Sequence, residues 1–437
     1  MTLTVLISSI TVAAMVGAVL FKPYIKIKRF SVGLYWIACF IGAITMLACG
    51  RLSFPSLFDG ITSQSSVNPI KILTLFLSMT LLSVYLGDAG FFDFIAEKIF
   101  LKAKGGKFKL FIILYAVVSI LTVFTSNDII ILTFTPPICI FAKKAKISPL
   151  PFLFGEFVAA NTWSMTLIIG NPTNIYLAGS AGISFIEYLS VMCLPAVVGG
   201  LTAFGVIILL FRKELFAPLP PSDTLNHGAP HKIIKHKTPL IVAICHLLIC
   251  IILLAVSDFI GVEMWIICLT LALSMTAFDL LYDLIVEHTA LPVLLSLKKE
   301  PYELVPFVLS MFVIVLALKE CGATELLGSL LITNTKLDGI TFGLLSAGAA
   351  NLLNNIPMSV LFERIIDGQS VYALYGAIIG SNIGAFITPV GALAGIMWNK
   401  ILSQYGVKLS FLKFMLYGTA IALPSLLATV ATLVLVI

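Results

Sequence analysis

Apolar runs of membrane-crossing length alternate along this chain with short polar breaks, and the breaks organise the reading. Leu3 to Phe21, Val32 to Cys49 and Ile70 to Leu86 read as successive spans, since a helix needs about 20 apolar residues to cross the hydrocarbon layer. After Gly87-Asp88-Ala89-Gly90, the residues Phe91, Phe92, Phe94, Ile95, Ile99 and Phe100 alternate with Asp93, Glu97, Lys98 and Lys102 at helical spacing. That pattern predicts an amphipathic helix lying along the cytoplasmic interface. Next come two apolar arms, Leu110 to Phe124 and Ile129 to Phe141, around the polar tip Thr125-Ser126-Asn127-Asp128. The outgoing arm is short and holds Pro136-Pro137. Both outer ends are basic, with Lys102, Lys104, Lys107 and Lys109 before and Lys143, Lys144 and Lys146 after. Basic residues stay on the cytoplasmic side, so the stretch reads as a re-entrant hairpin that enters from the cytoplasm and turns at the midplane. Non-helical backbone is tolerated there only when buried in protein or lining a wet cavity.

Phe152 to Ala178 is apolar but interrupted by Asn161-Thr162 and by Gly170-Asn171-Pro172-Thr173-Asn174, which predicts a broken helix. Tyr188 to Phe211 crosses back, and Arg212 to Thr238, with His227 and His231, reads as a cytoplasmic linker. The order of elements then repeats: Leu240 to Val256, Val262 to Leu281 and Leu304 to Leu318 cross. Leu353-Asn354-Asn355-Ile356-Pro357 next sits between the arms Ile340 to Leu352 and Met358 to Phe362. Phe76-Leu77-Ser78-Met79 recurs as Val308-Leu309-Ser310-Met311, and Asp88-Ala89-Gly90 as Glu320-Cys321-Gly322, at one offset of 232 residues (76 to 308, 88 to 320). Asn382 precedes Gly391 as Asn161 precedes Gly170. The expectation is an all-α polytopic membrane protein of two inverted repeats, each of five spans plus one re-entrant hairpin, giving about ten spans and two hairpins. Its divisions are residues 1–211, a linker at 212–238, and residues 239–437.

Composition agrees. Of 437 residues 59% are hydrophobic and 11% charged, against about 25% charged in soluble domains. The formal charge of +6 reflects basic cytoplasmic loops rather than a nucleic-acid surface. Eight cysteines stand without a CxxC pair, so neither a disulfide framework nor a zinc site is indicated. Leu3 to Phe21 lacks a basic leader and a cleavage site and reads as a retained span. Lys22, Lys26, Lys28 and Arg29 after it place the N-terminus outside a cell (inner or plasma) membrane that the chain crosses many times.

Two hairpin tips and two broken helices are expected to converge near the midplane. Half-helix N-termini there, each with about half a positive charge, can face a solute. The substrate-binding candidates are Ser126, Asn127, Asn171, Thr173, Asn174, Asn354, Asn355, Asn382, Thr388 and Gly391, with Asn161 and Thr162 beside them. Amides and hydroxyls of this kind suit a neutral polyol-like solute or an oxyanion, and no arginine is expected at that depth. Asp128 is the candidate for proton or cation coupling, because an ionisable group at the bilayer centre costs at least about 2.5 to 3.5 kcal/mol. It also suits the helix cap of the arm that follows. Asp88 and Glu320 read as caps of the helices after them, and Glu156 as an interfacial acid. No catalytic residue, metal site or cofactor is expected. An HExxH motif and clustered His or Cys are lacking, which argues against an enzyme.

At these residues the chain resembles the ion transporter superfamily, and most closely the arsenite-efflux permease (ArsB) family. The similar stretches are Asp88-Ala89-Gly90-Phe91-Phe92, Asn127-Asp128 with Ile131-Leu132-Thr133 and a proline, Asn354-Asn355-Ile356-Pro357, and Ile387-Thr388-Pro389-Val390-Gly391 leading to Trp398. The resemblance implies scaffold and transport domains, elevator-like alternation, and proton-coupled export of arsenite or antimonite, hence arsenical resistance. A cytosolic ATPase subunit and a homodimer are left open. Gly170-Asn171-Pro172-Thr173-Asn174 is instead similar to the sodium/proton antiporter (NhaD) and dicarboxylate branches. This keeps a sodium-coupled exchanger or anion transporter in play. The partners implied are a small inorganic or organic solute, protons or sodium, and the lipid bilayer, with no nucleic acid.

Overall fold

The computed structural model describes residues 1–21, 24–27, 30–62, 68–101, 106–218, 234 and 236–437. In chain order these form α1 (Thr2–Phe21), strands β1 (Tyr24–Ile27) and β2 (Phe30–Gly33), α2 (Leu34–Ala48), α3 (Phe54–Thr62), α4 (Pro69–Asp88) and α5 (Phe91–Leu101). The hairpin arms α6 (Lys107–Phe124) and α7 (Asn127–Lys144) follow, then α8 (Leu150–Trp163), α9 (Pro172–Ser180), α10 (Phe185–Leu210) and α11 (Arg212–Leu215). The second half holds α12 (Lys237–Ala255), α13 (Ser257–Ile260), α14 (Met264–Val286), α15 (Leu291–Leu297), α16 (Leu304–Glu320) and α17 (Ala323–Leu331). It ends with α18 (Leu337–Leu353), α19 (Asn355–Ile366), α20 (Val371–Gly384), α21 (Leu393–Gln404) and α22 (Phe411–Val436).

The chain is therefore a nearly all-helical polytopic membrane protein. The antiparallel ribbon β1–β2 is its one β element among the described residues. Seven helices, α1, α4, α6, α10, α12, α14 and α22, are long and apolar enough to cross a membrane, and α16 with α17, bent by 78°, makes an eighth. A count of about ten spans counts the short α2 and the two broken helices as spans and treats α6 as a hairpin arm. Lys22, Lys28, Arg29, Lys102, Lys104, His227 and His231, with most of the linker at 212–238, lie outside the described residues.

Two local expectations are corrected. The arm after the first tip is longer than Ile129 to Phe141: α7 runs from Asn127 to Lys144, 18 residues, through both prolines. Its inner face is buried against α5, α8 and α21, and packing of this kind outweighs the loss of two backbone donors. The polar stretch between the spans Val32 to Cys49 and Ile70 to Leu86 also contains a helix, α3.

Both halves use the same neighbours. α4 packs on α14 as α16 packs on α2, α6 on α8 as α18 on α20, α7 on α8 as α19 on α20, and α7 on α21 as α19 on α9. α5 supports α7 as α17 supports α19, and α10 lies against α22. The closest of these seams joins α18 to α20, where Gly339 opposes Gly376, Gly343 opposes Gly380 and Ala347 opposes Gly384. A Cβ added at Gly376 would stand 2.3 Å from Gly339 O, and one at Gly380 2.1 Å from Gly343 O. Small residues let membrane helices touch backbone to backbone. The first-half counterpart, α6 on α8, is padded with a ring instead: Phe111 of α6 lies 6.4 Å from the ring of Phe152, and a Cβ added at Gly155 would stand 2.5 Å from the Phe111 ring.

Candidate functional site

The first break follows from Gly170-Asn171-Pro172. α8 ends at Trp163, two short 3-10 turns follow, and α9 starts at Pro172. A Cβ at Gly170 would stand 2.2 Å from Ser164 O, so only glycine allows the turn to close. Asn171 caps α9 by accepting from Thr173 N and Thr173 Oγ1, both at 3.2 Å. Asn174 donates to two carbonyls of the break, Ser164 O at 2.9 Å and Leu167 O at 3.2 Å.

Asn382, midway through the site from α20, ties this break to the second half. Its Oδ1 accepts from Asn171 Nδ2 at 2.9 Å and lies 3.0 Å from Ser164 Oγ, and its Nδ2 donates to Asn174 Oδ1 at 2.7 Å and Ile378 O at 2.8 Å. The Thr173 and Ser381 hydroxyls meet at 2.9 Å. From the first tip, Asn127 Nδ2 donates to Asn161 Oδ1 at 3.3 Å.

The second tip is clamped to the second break. Asn354 sits at φ +74°, a backbone region that favours glycine, and strain of this kind persists only where surroundings enforce it. Here Asn354 Nδ2 donates to Val390 O at 3.2 Å, Asn354 Oδ1 caps Ile356 N, and Asn355 N donates to Gly391 O at 3.0 Å. Asn351 completes the clamp. It accepts from Thr388 N at 2.9 Å and Thr388 Oγ1 at 2.6 Å, and donates to Ala347 O and Gly384 O, both at 2.8 Å. Sequence reasoning passed over Asn351; its signal was an amide one helical turn before the Asn354-Asn355 tip.

The candidates therefore fall into two networks that meet on α20. Asn171, Thr173, Asn174 and Asn382, with Asn127 through Asn161, form the first; Asn354, Asn355, Thr388 and Gly391 form the second. Ser126 and Asp128 stand at the first tip outside both. Ser126 is the N-cap residue of α7 without a side-chain cap bond, and half-buried Asp128 lies in its first turn. Ser126 Oγ, Asn127 Oδ1, Asn355 Oδ1, Thr162 Oγ1 and Thr166 Oγ1 are buried with no partner among the described residues. Buried polar atoms are normally paired, so an unpaired group of them at tips and breaks is what a polar solute could satisfy. The N-termini of α7, α9 and α19 also start at these points, adding partial positive charge. Among the described residues no group of His, Cys, Asp and Glu is arranged to hold a metal ion.

Other expectations shift. Glu156 is not interfacial but fully buried: its Oε2 accepts from Trp398 Nε1 at 3.2 Å, and Oε1 lies 3.2 Å from Thr135 Oγ1. Asp88 does not cap α5. It accepts from Ser296 Oγ at 2.5 Å and pairs with Lys299. Gly322, not Glu320, is the N-cap residue of α17. An arginine does lie within a hairpin arm. Arg364, near the end of α19, is paired with Glu363 (Nε to Oε2 2.9 Å) and stacked over Phe312, beyond the tip.

A family model described as a citrate transporter matches residues 30–371. The arsenical pump membrane protein of Escherichia coli is 27% identical over 375 residues, covering 82% of this chain and 85% of its own. That of Yersinia enterocolitica is 28% identical over 374 residues, with the same coverage. Among solved structures, the YdaH transporter of Alcanivorax borkumensis superposes with a TM-score of 0.58 at 12% identity, over 99% of this chain and 97% of its own. MtrF of Neisseria gonorrhoeae, described among antimetabolite efflux pumps, gives 0.55 at 12% identity, over 99% and 94%. At that identity the structural likeness is one of fold.

Proposed function

The chain belongs to the citrate transporter family, and on that premise we propose that this membrane transporter exports arsenite or antimonite in exchange for protons by an elevator-like movement. What carries the reading is the set of five buried, unpartnered and uncharged polar atoms at the tips and breaks. Arsenite is a neutral hydroxide at pH 7, so hydroxyl and amide hydrogen bonds can recognise it without a cationic clamp. The similarity to arsenical pump membrane proteins over more than four-fifths of the chain points the same way. Ser126, Asn127, Asn171, Thr173, Asn174, Asn354, Asn355, Asn382, Thr388 and Gly391 would form or shape the binding site. Asp128, the one carboxylate at either tip, would couple the proton. The two halves, 1–211 and 239–437, would be inverted across the linker, with the N-terminus outside a plasma membrane. A cytosolic ATPase subunit and a homodimer fit this reading without being required by it.

A second reading, a sodium/proton antiporter or a sodium-coupled carboxylate or anion transporter, is favoured by the family's description and by the helix N-termini at the site. Uptake into proteoliposomes separates the two. Arsenite, sodium and dicarboxylates are offered in parallel under an imposed pH gradient, and arsenite alone should be carried against protons. Sodium- or dicarboxylate-dependent flux without arsenite flux would replace the first reading with the second. Topology has its own test: cysteines placed at Lys107 and Lys144 should be labelled from the cytoplasmic side alone. Labelling of the Lys144 position only from outside would end the re-entrant reading.

A further inference from the structure

We propose that Glu156 is a second proton-binding site, a carboxylic acid whose proton latches the first hairpin's outgoing arm α7 to α8 and α21. This deepens the reading of the protein as a proton-coupled transporter and rests on it. The argument begins with counting hydrogens. Thr135 Oγ1 lies 2.6 Å from Ile131 O and 3.2 Å from Glu156 Oε1. A hydroxyl has one hydrogen, and a backbone carbonyl can only accept, so that hydrogen goes to Ile131 O. A carboxyl O–H donated to Thr135 Oγ1 would complete the contact with Glu156, as the neutral acid can and the carboxylate cannot. Its other oxygen accepts from Trp398 Nε1.

The surroundings agree. Trp398, Phe154 and Phe157 beside Glu156 are all fully buried, and Trp398 stacks on Phe157 at 4.8 Å and meets Phe414 at 5.6 Å. An ionised carboxylate with a single neutral donor would be costly in such an enclosure. The elements packed on α8 bring few titratable groups. α7 presents Cys139, within electrostatic reach of Glu156, and carries Lys143 and Lys144 at its far end. α6 presents Tyr115, whose hydroxyl donates to Gly200 O, α20 carries Tyr375, α10 carries Glu187, and α21 carries Lys400 two residues beyond Trp398.

Position turns this acid into a latch. Thr135 stands immediately before Pro136-Pro137, where α7 lacks two backbone donors and is easiest to bend. α7 begins at the tip bearing Asn127 and Asp128, and α21 follows the break bearing Thr388 and Gly391. Loss of the proton from Glu156 to water would leave an unpaired charge among rings, so release requires α7 to swing away and admit water. Proton release and opening of the tip thus become one event.

Infrared difference spectroscopy across a pH titration, joined to solute exchange in proteoliposomes, tests this with Glu156→Gln. Gln keeps the acceptor for Trp398 and a donor for Thr135, so it mimics the protonated latch. The expected result is a protonated-carboxyl band in the wild type, retained in Asp128→Asn and missing in E156Q, with E156Q folded but deficient in exchange at every pH. A band unchanged by E156Q, or wild-type exchange in E156Q, overturns the proposal. Should E156Q fail to fold, Thr135→Val, which removes the acid's acceptor, must shift the band; an unshifted band equally overturns it. The spectrum needs no solute, and exchange is measured with whichever solute the uptake assay finds. Failure of the arsenite reading therefore leaves this result interpretable.

Discussion

Two asparagines of similar burial should respond to truncation in opposite ways. Asn382→Ala removes the acceptor of Asn171 Nδ2 and the donor to Asn174 Oδ1, at 2.9 and 2.7 Å. Both of those groups belong to fully buried residues of the first break. Leaving a buried polar atom unpaired costs about 1–3 kcal/mol, so two cost about 2–6 kcal/mol; measured membrane-helix hydrogen bonds, averaging about 0.6 kcal/mol, set a floor near 1 kcal/mol. Ser164 adds nothing, because its hydroxyl already has Asn161 O at 2.8 Å. Asn127→Ala loses one bond of 3.3 Å but also removes an acceptor, Oδ1, that the chain leaves unpaired. The two effects offset each other, and its net cost should be below about 1 kcal/mol. Thermal unfolding of the purified variants and flux through reconstituted ones are to be measured on the same preparations. Asn127→Ala should melt near wild type and carry nothing, whereas Asn382→Ala should melt clearly lower. If Asn127→Ala melts as low as Asn382→Ala while its folded fraction still transports, Asn127 is a packing amide and the assignment of the first tip is wrong.

Asp128→Asn should keep substrate exchange but lose flux driven by a pH gradient, since an amide of nearly the same shape cannot carry a proton; full gradient-driven flux would remove Asp128 from the coupling path. Asn354→Ala should abolish transport with little change in expression, and retained transport would deny the second tip a role. Gly380→Ala should destabilise by about 1–3 kcal/mol or more through overpacking, because its Cβ meets backbone at 2.1 Å. Gly348→Ala, with nothing within 4 Å, should be neutral or stabilising; equal melting of the two variants would contradict the close seam. Outside the spans, burial lifts the Glu300 carboxyl to about 8. A raised carboxyl favours the fold while protonated, so this contribution is present at low pH and lost as pH rises through about 8. Relative to wild type, Glu300→Gln should flatten the fall in melting temperature over that window, and parallel curves would show that Glu300 does not titrate there.

How much of this was legible depended on whether a signal was local. Polar tips inside apolar runs, and Gly-Asn-Pro within a helix, mark themselves, because buried polar backbone must be reconciled on the spot. Both breaks and both tips could therefore be located before any coordinates. Depth and partners could not. Glu156 stands seven residues into α8 and reads as interfacial until α21, more than two hundred residues later, lays Trp398 over it. Asp88 reads as a cap because its neighbours in sequence suit one, while its actual partners are Ser296 and Lys299. The length of the first outgoing arm was misjudged in the other direction, since the lysines that close its apolar run at Phe141 still belong to α7. Asn351 was hidden because its work is done on Thr388, across the break from a different element.

The glycine seam has a mechanical consequence. Where α18 and α20 touch through backbone, neither can slide or tilt without atoms overlapping, so the second tip is mounted on a stiff two-helix plank. The first hairpin rests on aromatic rings, which can rotate and yield, and its outgoing arm is weakened by two prolines. Parts of similar order in the chain thus differ in compliance, and a movement that loads both tips equally would bend the first before the second.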